Sequence, residues 1–313
     1  MKSTGKEWFV IINPNAGRRK GEKDWNEISK LLTEAGLEYT CVFTDAPNHA
    51  VKLSRKYIEA GFRKIIVVGG DGTLNEVING IFTQRKYAPD EIIIAMIPVG
   101  TGNDWGRSYS IPYDYKAAIS VIVREKTVRQ DVGRVNYTSG DRQHTRHFIN
   151  MAGIGFDAEV ANKTNKQKRE GKGGPLSYLV NIFTSLMQFK PVHTNFLIDN
   201  KPVNENIFSA SIAICQFNGG GMKQAPNAIP DDGLFDITII TKVSRTTVLR
   251  NVIKLYDGSF IKLQQVKQFR GQVVKIDSEP ALLLETDGES LGYTPMTFEI
   301  LPRAVTVVTG NKE

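Results

Sequence analysis

Three aspartates, Asp71, Asp104 and Asp131, stand at strand or loop ends, and two further acids, Asp287 and Glu289, flank a glycine. Such carboxylates suit Mg²⁺, which takes oxygen ligands and water in octahedral geometry, and phosphoryl transfer needs that ion beside a heavily negative triphosphate. A carboxylate within reach of an alcohol also accepts its proton as the P–O bond forms. Taken singly, an aspartate at a turn is more often a hydrogen-bonding cap, and Asp287-Gly288-Glu289 reads from its residues as a surface hairpin turn. No G-x-x-x-x-G-K-[ST] segment is present, so glycine amides must cradle any phosphate.

Three segments have the form for that. The β-branched run Ile65 to Val68 enters Gly69-Gly70-Asp71-Gly72-Thr73-Leu74-Asn75-Glu76-Val77. Trp8 to Ile12 enters Asn13-Pro14-Asn15-Ala16-Gly17, and Ile92 to Pro98 enters Val99-Gly100-Thr101-Gly102-Asn103-Asp104. Glycines permit positive φ and leave room for a ligand's oxygens. Thr73-Leu74-Asn75-Glu76 fits a capping box, which aims the following amides at the loop from a helix N-terminus. Glycines after one strand serve equally well as plain turn chemistry; three such loops favour a phosphate or nucleotide site.

Between these strands lie helical patterns, with Trp25, Ile28, Leu31 and Leu32 on one face and Val51, Ser54, Tyr57 and Ile58 on another. Alternating strands and helices imply a parallel sheet whose strand C-termini share one edge, where the three loops should converge on a ligand. After residue 130 the pattern changes to short strand-like runs, among them 147–152, 195–199, 209–214, 235–240, 273–276 and 281–284, with turn signals such as Asp199-Asn200-Lys201 and Asp232-Gly233. Many short strands imply an all-β sandwich. Whether Ala304 to Val308 closes the sandwich or returns to the first domain is open from sequence.

These segments resemble a known family. The three glycine loops, Gln130-Asp131-Val132-Gly133-Arg134, Ala225-Pro226 through Asp231-Asp232-Gly233-Leu234-Phe235, and Thr286-Asp287-Gly288-Glu289 followed by Phe298-Glu299-Ile300-Leu301-Pro302 as one motif, look like the signatures of the diacylglycerol kinase catalytic-domain family, in the form of the bacterial lipid kinases related to sphingosine and ceramide kinases. GGDGT alone is shared with NAD kinases and phosphofructokinase-like enzymes; six motifs in order are specific. The resemblance implies an N-terminal three-layer α/β/α nucleotide-binding domain over 1–130, joined by 297–313 if the last strand returns to it. It also implies a C-terminal β-sandwich lipid-binding domain over 131–296, with the active site in an interdomain cleft.

The same resemblance assigns ATP to Asn13, Pro14, Asn15, Ala16, Gly17, Thr44, Gly70 through Glu76 (Gly70, Asp71, Gly72, Thr73, Leu74, Asn75, Glu76), Thr101 and Asn103. Mg²⁺ falls to Asp71, Asp104 and Asp131 through water, and Glu289 becomes the base for the lipid hydroxyl, oriented by Asp287. A second, structural metal would sit on the Asp232 carboxylate and the carbonyls of Ile229 and Leu234, where an ordinary Asp-Gly turn is an equal reading. Arg303 stands where the family has glycine. Arg18, Arg19 and Lys20 follow the first loop as phosphate counter-charge or, more commonly, a solvated run.

Composition agrees with a two-domain enzyme: 313 residues, 41% hydrophobic and 23% charged. No run approaches the roughly 20 apolar residues of a membrane span, and Met1 to Glu7 lack a signal-peptide core, which implies a cytoplasmic protein. Cys41 and Cys215, in different halves, are expected to be buried reduced thiols. The four histidines form no ligand constellation. A net charge of +7 and a pI near 9.2 suit transient peripheral contact with an anionic membrane holding the lipid substrate. Lys163, Lys166, Lys168, Arg169 and Lys172 concentrate charge ahead of a stripe, Leu176, Leu179, Val180, Phe183 and Met187, expected to pack on its own domain, and Lys172 is a candidate for substrate contact. No nucleic-acid module is present; a homodimer is the family expectation.

The reading is an ATP- and Mg²⁺-dependent lipid kinase acting on a diacylglycerol-like lipid. Alternatives are a sphingoid-base kinase, an NAD kinase, and a nucleotide-binding regulator that has lost catalysis. The third glycine loop and the Asp287-Gly288-Glu289 segment speak against NAD kinase, and the full set of acids speaks against the regulator.

Overall fold

The computed structural model describes residues 7–100, 102–170 and 175–310; Thr101 and Lys172, two of the expected site residues, lie outside the described residues. The chain divides into two compact units, Met1–Val132 with Gly219–Gly221 and Pro302–Glu313, and Gly133–Asn218 with Met222–Leu301.

In the first unit four apolar runs form a parallel sheet: β1 (Trp8–Ile12), β2 (Tyr39–Phe43), β3 (Lys64–Gly69) and β4 (Ile93–Pro98). β1 is buried throughout, and β3 and β4 are buried after their first residue, which is why these runs carry no polar alternation. β1 pairs with β2 on one side and β3 on the other, and β3 pairs with β4. The chain therefore goes one way from β1 to β2 and the other way to β3. Ligands in open parallel sheets bind where the order reverses, beyond the C-terminal ends of the two strands concerned. Here those strands are β1 and β3.

Six helices described in this unit follow: α1 (Ala16–Lys23), α2 (Trp25–Glu34), α3 (His49–Glu59), α4 (Asp71–Thr83), α5 (Asp104–Ser108) and α6 (Tyr115–Arg124). Ile28 and Leu32, Leu53 and Ile58, Val77 and Ile81, and Ile119 and Ile122 bury their apolar faces. Cys41 corrects an expectation: it lies on β2, which pairs only with β1 among the described strands, and is exposed, whereas Cys215 is buried.

The second unit is built of antiparallel strands: β5 (Thr127–Ser139), β6 (Arg142–Phe148), β7 (Met151–Gly155), β8 (Val192–Ile198), β9 (Lys201–Ala213), β10 (Phe235–Thr241), β11 (Val266–Gly271), β12 (Val273–Ser278), β13 (Leu283–Thr286) and β14 (Glu289–Val308). β5 up to Val132 and β14 from Pro302 belong to the first unit. Two long strands serve both layers of the sandwich. β9 pairs with β8 along its first half and with β7 and β10 along its second. β14 pairs with β13 and then β12. With β7 on β13 and β8 on β12, the circuit β9-β7-β13-β14-β12-β8 closes on itself. Phe148 packs against Phe235 and Phe298 in the core, with centroids 5.9 and 6.1 Å apart. A Cβ at Gly133 would lie 2.2 Å from the Phe148 ring, so only glycine fits there. At its far end, Thr306 and Val307 of β14 pair parallel with Ile93 and Ile94 of β4, so the Ala304 to Val308 run joins the parallel sheet.

Helices α7 (Phe156–Arg169), α8 (Pro175–Gln188), α9 (Arg245–Asn251) and α10 (Lys254–Asp257), with a 3-10 turn at Ser259–Lys262, also belong to this unit. Phe156, Val160, Leu186 and Phe208 form a core against which Phe189, Val243 and Val248 pack. Of the expected stripe on α8, the Leu176 and Leu179 side chains lie outside the described residues and Met187 is partly buried. Asn181, Ser185 and Leu186 face inward, while Val180 and Phe183 are exposed. Asn181 is held there by hydrogen bonds with Thr164 and Gln167 of α7, so a polar interlock competes with apolar periodicity for the inner face.

Arg303 has φ +49, in the left-handed region that favours glycine, and its amide donates to Asp131 Oδ1 at 2.6 Å. Arg303→Gly removes the steric cost of that conformation and keeps the hydrogen bond. We expect it to raise unfolding stability by up to about 1 kcal/mol in chemical denaturation.

Candidate functional site

The three glycine loops of the first unit meet. A Cβ on Gly17 would fall 1.8 Å from the Val99 carbonyl oxygen, which brings the first loop against the third. A Cβ on Gly100 would lie 2.7 Å from Gly70 Cα, which brings the third against the second. The amides of Val99 and Gly100 both donate to the Gly69 carbonyl, at 3.0 and 3.2 Å. Asn13 donates through its side chain to Thr73 Oγ1 at 2.9 Å, tying the first loop to the start of α4. Thr44, buried at the end of β2, donates its amide to the Ile12 carbonyl.

The helix after the second loop starts differently from the capping box expected. α4 begins at Asp71 behind Gly70, inside the glycine motif, and no side chain caps it. Glu76 instead accepts the amides of Asn48 and Ala50, at 2.8 and 3.0 Å, and so holds the start of α3. A glycine at the N-cap supplies no side-chain acceptor, an arrangement that suits the start of α4 to an anion. Leu74 and Asn75 are fully buried, so a ligand meets backbone along this stretch. After the first loop, Gly17, Arg18 and Arg19 all have positive φ, between 59 and 68°. Arg19 pairs with Glu22 at 2.5 Å.

Asn103 supplies a specific vacancy in the hydrogen bonding. Its side-chain nitrogen donates to the Gly100 carbonyl at 2.8 Å, whereas Oδ1, buried, has no partner. That oxygen lies toward the narrow seam between Gly70 and Gly100, 2.6 Å from where a Gly100 Cβ would be. A buried acceptor without a donor costs free energy of about 1–3 kcal/mol, which a ligand amino or hydroxyl group, or water, relieves.

The aspartates are anchored by backbone. Asp71 accepts the amides of Asp104 and Trp105, at 3.0 and 3.2 Å, and thereby starts α5. Asp104 accepts Gly220 and Gly221 at 2.7 Å each, with Arg107 3.8 Å away. Burial raises the Asp104 carboxyl above its usual range, and the two amides pull it down. One oxygen of each acid borders Gly102: a Cβ there would be 3.4 Å from Asp71 Oδ2 and 3.5 Å from Asp104 Oδ2. Carboxylate oxygens keep further lone pairs, so this pair fits a cation that retains its water. Asp131 does not fit: it has no exposed surface and takes the Arg303 amide. Among the described residues no group of three or more His, Cys, Asp or Glu is placed to hold an ion.

In the second unit, Asp287 and Gly288 have φ 48 and 84° between the paired residues Thr286 and Glu289. This is a two-residue hairpin of the left-handed kind that Asp-Gly favours. Contrary to a surface turn, Asp287 is buried. Its carboxylate accepts the amides of Ile149, Asn150 and Met151, each at 3.0 Å. It therefore holds the break between β6 and β7, where sequence predicted one continuous strand. Glu289 is partly exposed and lies 3.6 Å from Arg146, whose guanidinium is largely buried and whose Nε and Nη2 lack hydrogen-bond partners. Nothing in the sequence marked Arg146, one of several basic residues on β6.

Asp232 fits a structural metal poorly. Its carboxylate is paired with the guanidinium of Arg270, which also reaches Asp236 at 3.2 Å, and it accepts the Leu234 amide at 3.1 Å. A fixed cation already occupies the position. Ile229 is exposed.

Glu285, two residues before Asp287, was not anticipated. It is buried and accepts the Gly288 amide at 2.8 Å. Its carboxyl is pushed up to about 8 by desolvation first, with the charges of Asp157 and Asp287 adding to it. Asp157, raised by desolvation to about 6, accepts from the Ser209 hydroxyl at 2.8 Å. Both crowd Gly153, where a Cβ would be 2.6 Å from Glu285 Oε1 and 3.3 Å from Asp157 Cβ.

Residues 7–135 match the diacylglycerol kinase catalytic domain, and residues 150–309 match the YegS C-terminal NAD kinase beta sandwich-like domain. A protein named diacylglycerol kinase from Staphylococcus carnosus (strain TM300) is 30% identical over 300 residues, covering 96% of this chain and 94% of its own. A crystal structure of a diacylglycerol kinase from Bacillus anthracis str. Sterne superposes with TM-score 0.72 at 21% identity, covering 99% and 98% of the two chains. Yeast NADH kinase complexed with NADH superposes with TM-score 0.56 at 12% identity, covering 99% of this chain and 85% of that one. The last two are similarities of fold.

The raised carboxyl of Glu285 fixes a sign. Between its ordinary value of 4.5 and about 8, the folded protein holds a proton that the unfolded chain releases, so stability falls as pH rises through that window. Glu285→Gln keeps an acceptor for the Gly288 amide and cannot ionise. Its stability relative to the parent, read by denaturant midpoint, is expected to grow steadily from pH 5 to pH 8; a constant difference refutes the buried proton.

Proposed function

Because the chain belongs to the diacylglycerol kinase catalytic-domain family of lipid kinases, we propose that it transfers the γ-phosphate of ATP to the hydroxyl of a diacylglycerol-like lipid, with Mg²⁺. The observation that carries the nucleotide half of this reading is the meeting of Gly17, Gly70 and Gly100 at the β1/β3 reversal. Main chain approaches main chain too closely there for any side chain, and the uncapped start of α4 adds donors. Phosphates bind through the amides of Asn13 to Gly17 and Gly70 to Thr73. Asn103 Oδ1 accepts a hydrogen bond from the bound nucleotide.

Mg²⁺ supplies neutralisation of the triphosphate, and Asp71 and Asp104 are the residues that hold its water shell. Glu289 accepts the proton of the attacking hydroxyl. Arg146 fixes the direction of that carboxylate, and Asp287 fixes the hairpin that carries it. Transfer breaks the bond between the γ-phosphorus and its bridging oxygen and forms one to the lipid oxygen. Charge then resides on ADP and the phosphorylated lipid.

Incubation of the purified protein with γ-labelled ATP, a panel of diacylglycerol, ceramide, sphingosine and NAD, and chromatography of the products tests the reading. Label is expected in a phosphorylated glycerolipid; label only in a sphingoid base or in NAD replaces the acceptor, and no transfer to any acceptor leaves the regulator. Glu289→Gln is expected to lower kcat by about 10²–10⁴-fold with ATP binding unchanged. Arg146→Gln should lower kcat as well, with partial recovery in Arg146→Lys. Gly100→Ala should weaken ATP binding while leaving the lipid KM alone, since its Cβ would fall 2.6 Å from Asn103 Oδ1.

A further inference from the structure

Helix α9 and helix α10 form an exposed apolar ridge. Val252 and Ile253 between them keep right-handed helical dihedrals, so Arg245 to Asp257 runs as a nearly continuous helical path. Leu249, Val252, Ile253 and Tyr256 recur at the i, i+3, i+4, i+7 spacing of one helical face. All four point to solvent, with relative exposures of 52, 42, 77 and 57%. The opposite side is used: Val248 packs on the core beneath α7 and α8, and the carbonyl of Leu255 accepts the Lys223 amide at 2.6 Å. Arg245 donates to the Met187 carbonyl at the end of α8. The ridge is thus fixed in place with its apolar face outward.

Charge accompanies it. Lys242, Arg245, Arg250, Lys254 and Lys262 are exposed along the same stretch, and between Lys242 and Lys262 the only acid is Asp257. Four large apolar side chains side by side in water are unfavourable unless something covers them. Basic residues among them select an anionic cover. A short helical segment with outward Leu, Ile and Tyr and interspersed Lys and Arg matches an interfacial element that lies in the plane of a lipid surface.

We propose that the 245–257 ridge docks this protein on anionic phospholipid bilayers, its four apolar side chains entering the headgroup boundary while the flanking cations pair with lipid phosphates. The proposal deepens the lipid-kinase reading and rests on it for its purpose, yet it is measured without catalysis.

The test is co-sedimentation of the full chain with vesicles of phosphatidylglycerol and phosphatidylcholine, against pure phosphatidylcholine. Wild type is expected to partition onto the anionic vesicles, more weakly as salt rises. The double variant Leu249→Ser/Ile253→Ser should lose at least about tenfold in partition coefficient, from the apolar area it no longer buries. Arg250→Glu/Lys254→Glu should lose binding to anionic vesicles and leave the weak binding to neutral ones unchanged. Transfer to a dispersed short-chain acceptor should stay at the wild-type rate in both, which also reports that they fold. Equal partitioning of wild type and variants overturns the proposal, as does a sedimentation-velocity dimer that the serine variant dissociates, because the cover is then a second copy. Vesicle binding that depends on the ridge in a protein that phosphorylates no lipid upholds the docking surface and removes the kinase reading.

Discussion

The candidate nucleotide site depends on one constraint: the first amides of a helix have no acceptor within it, and where a distant side chain supplies one it fixes where the helix starts. In the first unit the Asp71 carboxylate takes those of Asp104 and Trp105, so the second glycine loop sets where α5 starts and draws the third loop against it. The close contact of Gly70 with Gly100 follows from that connection, and so does the seam into which Asn103 Oδ1 faces. Glu76 does the same for α3 through the amides of Asn48 and Ala50. Two acids inside one motif thus spend their hydrogen-bonding capacity on neighbouring elements. The motif's residues act chiefly by holding backbone, which is how they shape the candidate phosphate site.

The second unit repeats the device with a different element. Asp287 accepts three consecutive amides and fixes the corner between β6 and β7, while Glu285 accepts Gly288 and fixes the tip of the hairpin from the other side. Glu289 is the acid of the group left partly exposed, 3.6 Å from Arg146. A carboxylate that is to take a proton has to keep lone pairs unspent. The division of labour among three acids within five residues follows from strand alternation and a two-residue turn.

Much of this was legible from sequence for physical reasons. β1, β3 and β4 are buried strands and therefore unbroken apolar runs, and parallel pairing sends their C-termini to one edge, so the meeting of the three loops could be deduced before any coordinates. The Asp287-Gly288 turn was readable from its residue types. Its burial was not, because nothing local says that three amides 136 to 138 residues away in sequence, at Ile149 to Met151, will close over it. The capping box failed for a similar reason: Thr73 and Glu76 have the spacing, but α4 starts three residues earlier and Glu76 has distant amides to satisfy. On α8, Val180 and Phe183 of the expected stripe face outward because Asn181 found partners on α7, and a satisfied buried amide competes with an apolar side chain for the inner face. Arg146 and Arg270 carried no signal, since an arginine among surface cations looks the same whether or not a carboxylate lies opposite.

The hairpin has a chemical consequence as well. In an Asp-Gly pair the glycine nitrogen can attack the preceding side-chain carbonyl carbon and form a five-membered imide, which reopens mostly to an isoaspartyl linkage with an extra backbone atom. Here Gly288 N–H is committed to Glu285, and the Asp287 oxygens are held by three other amides. Folding therefore shields this bond from ageing, and the damage is confined to molecules that have opened. A chain so altered carries an extra backbone atom in the hairpin ahead of Glu289, so each excursion to the unfolded state carries a small risk of permanently misplacing that side chain.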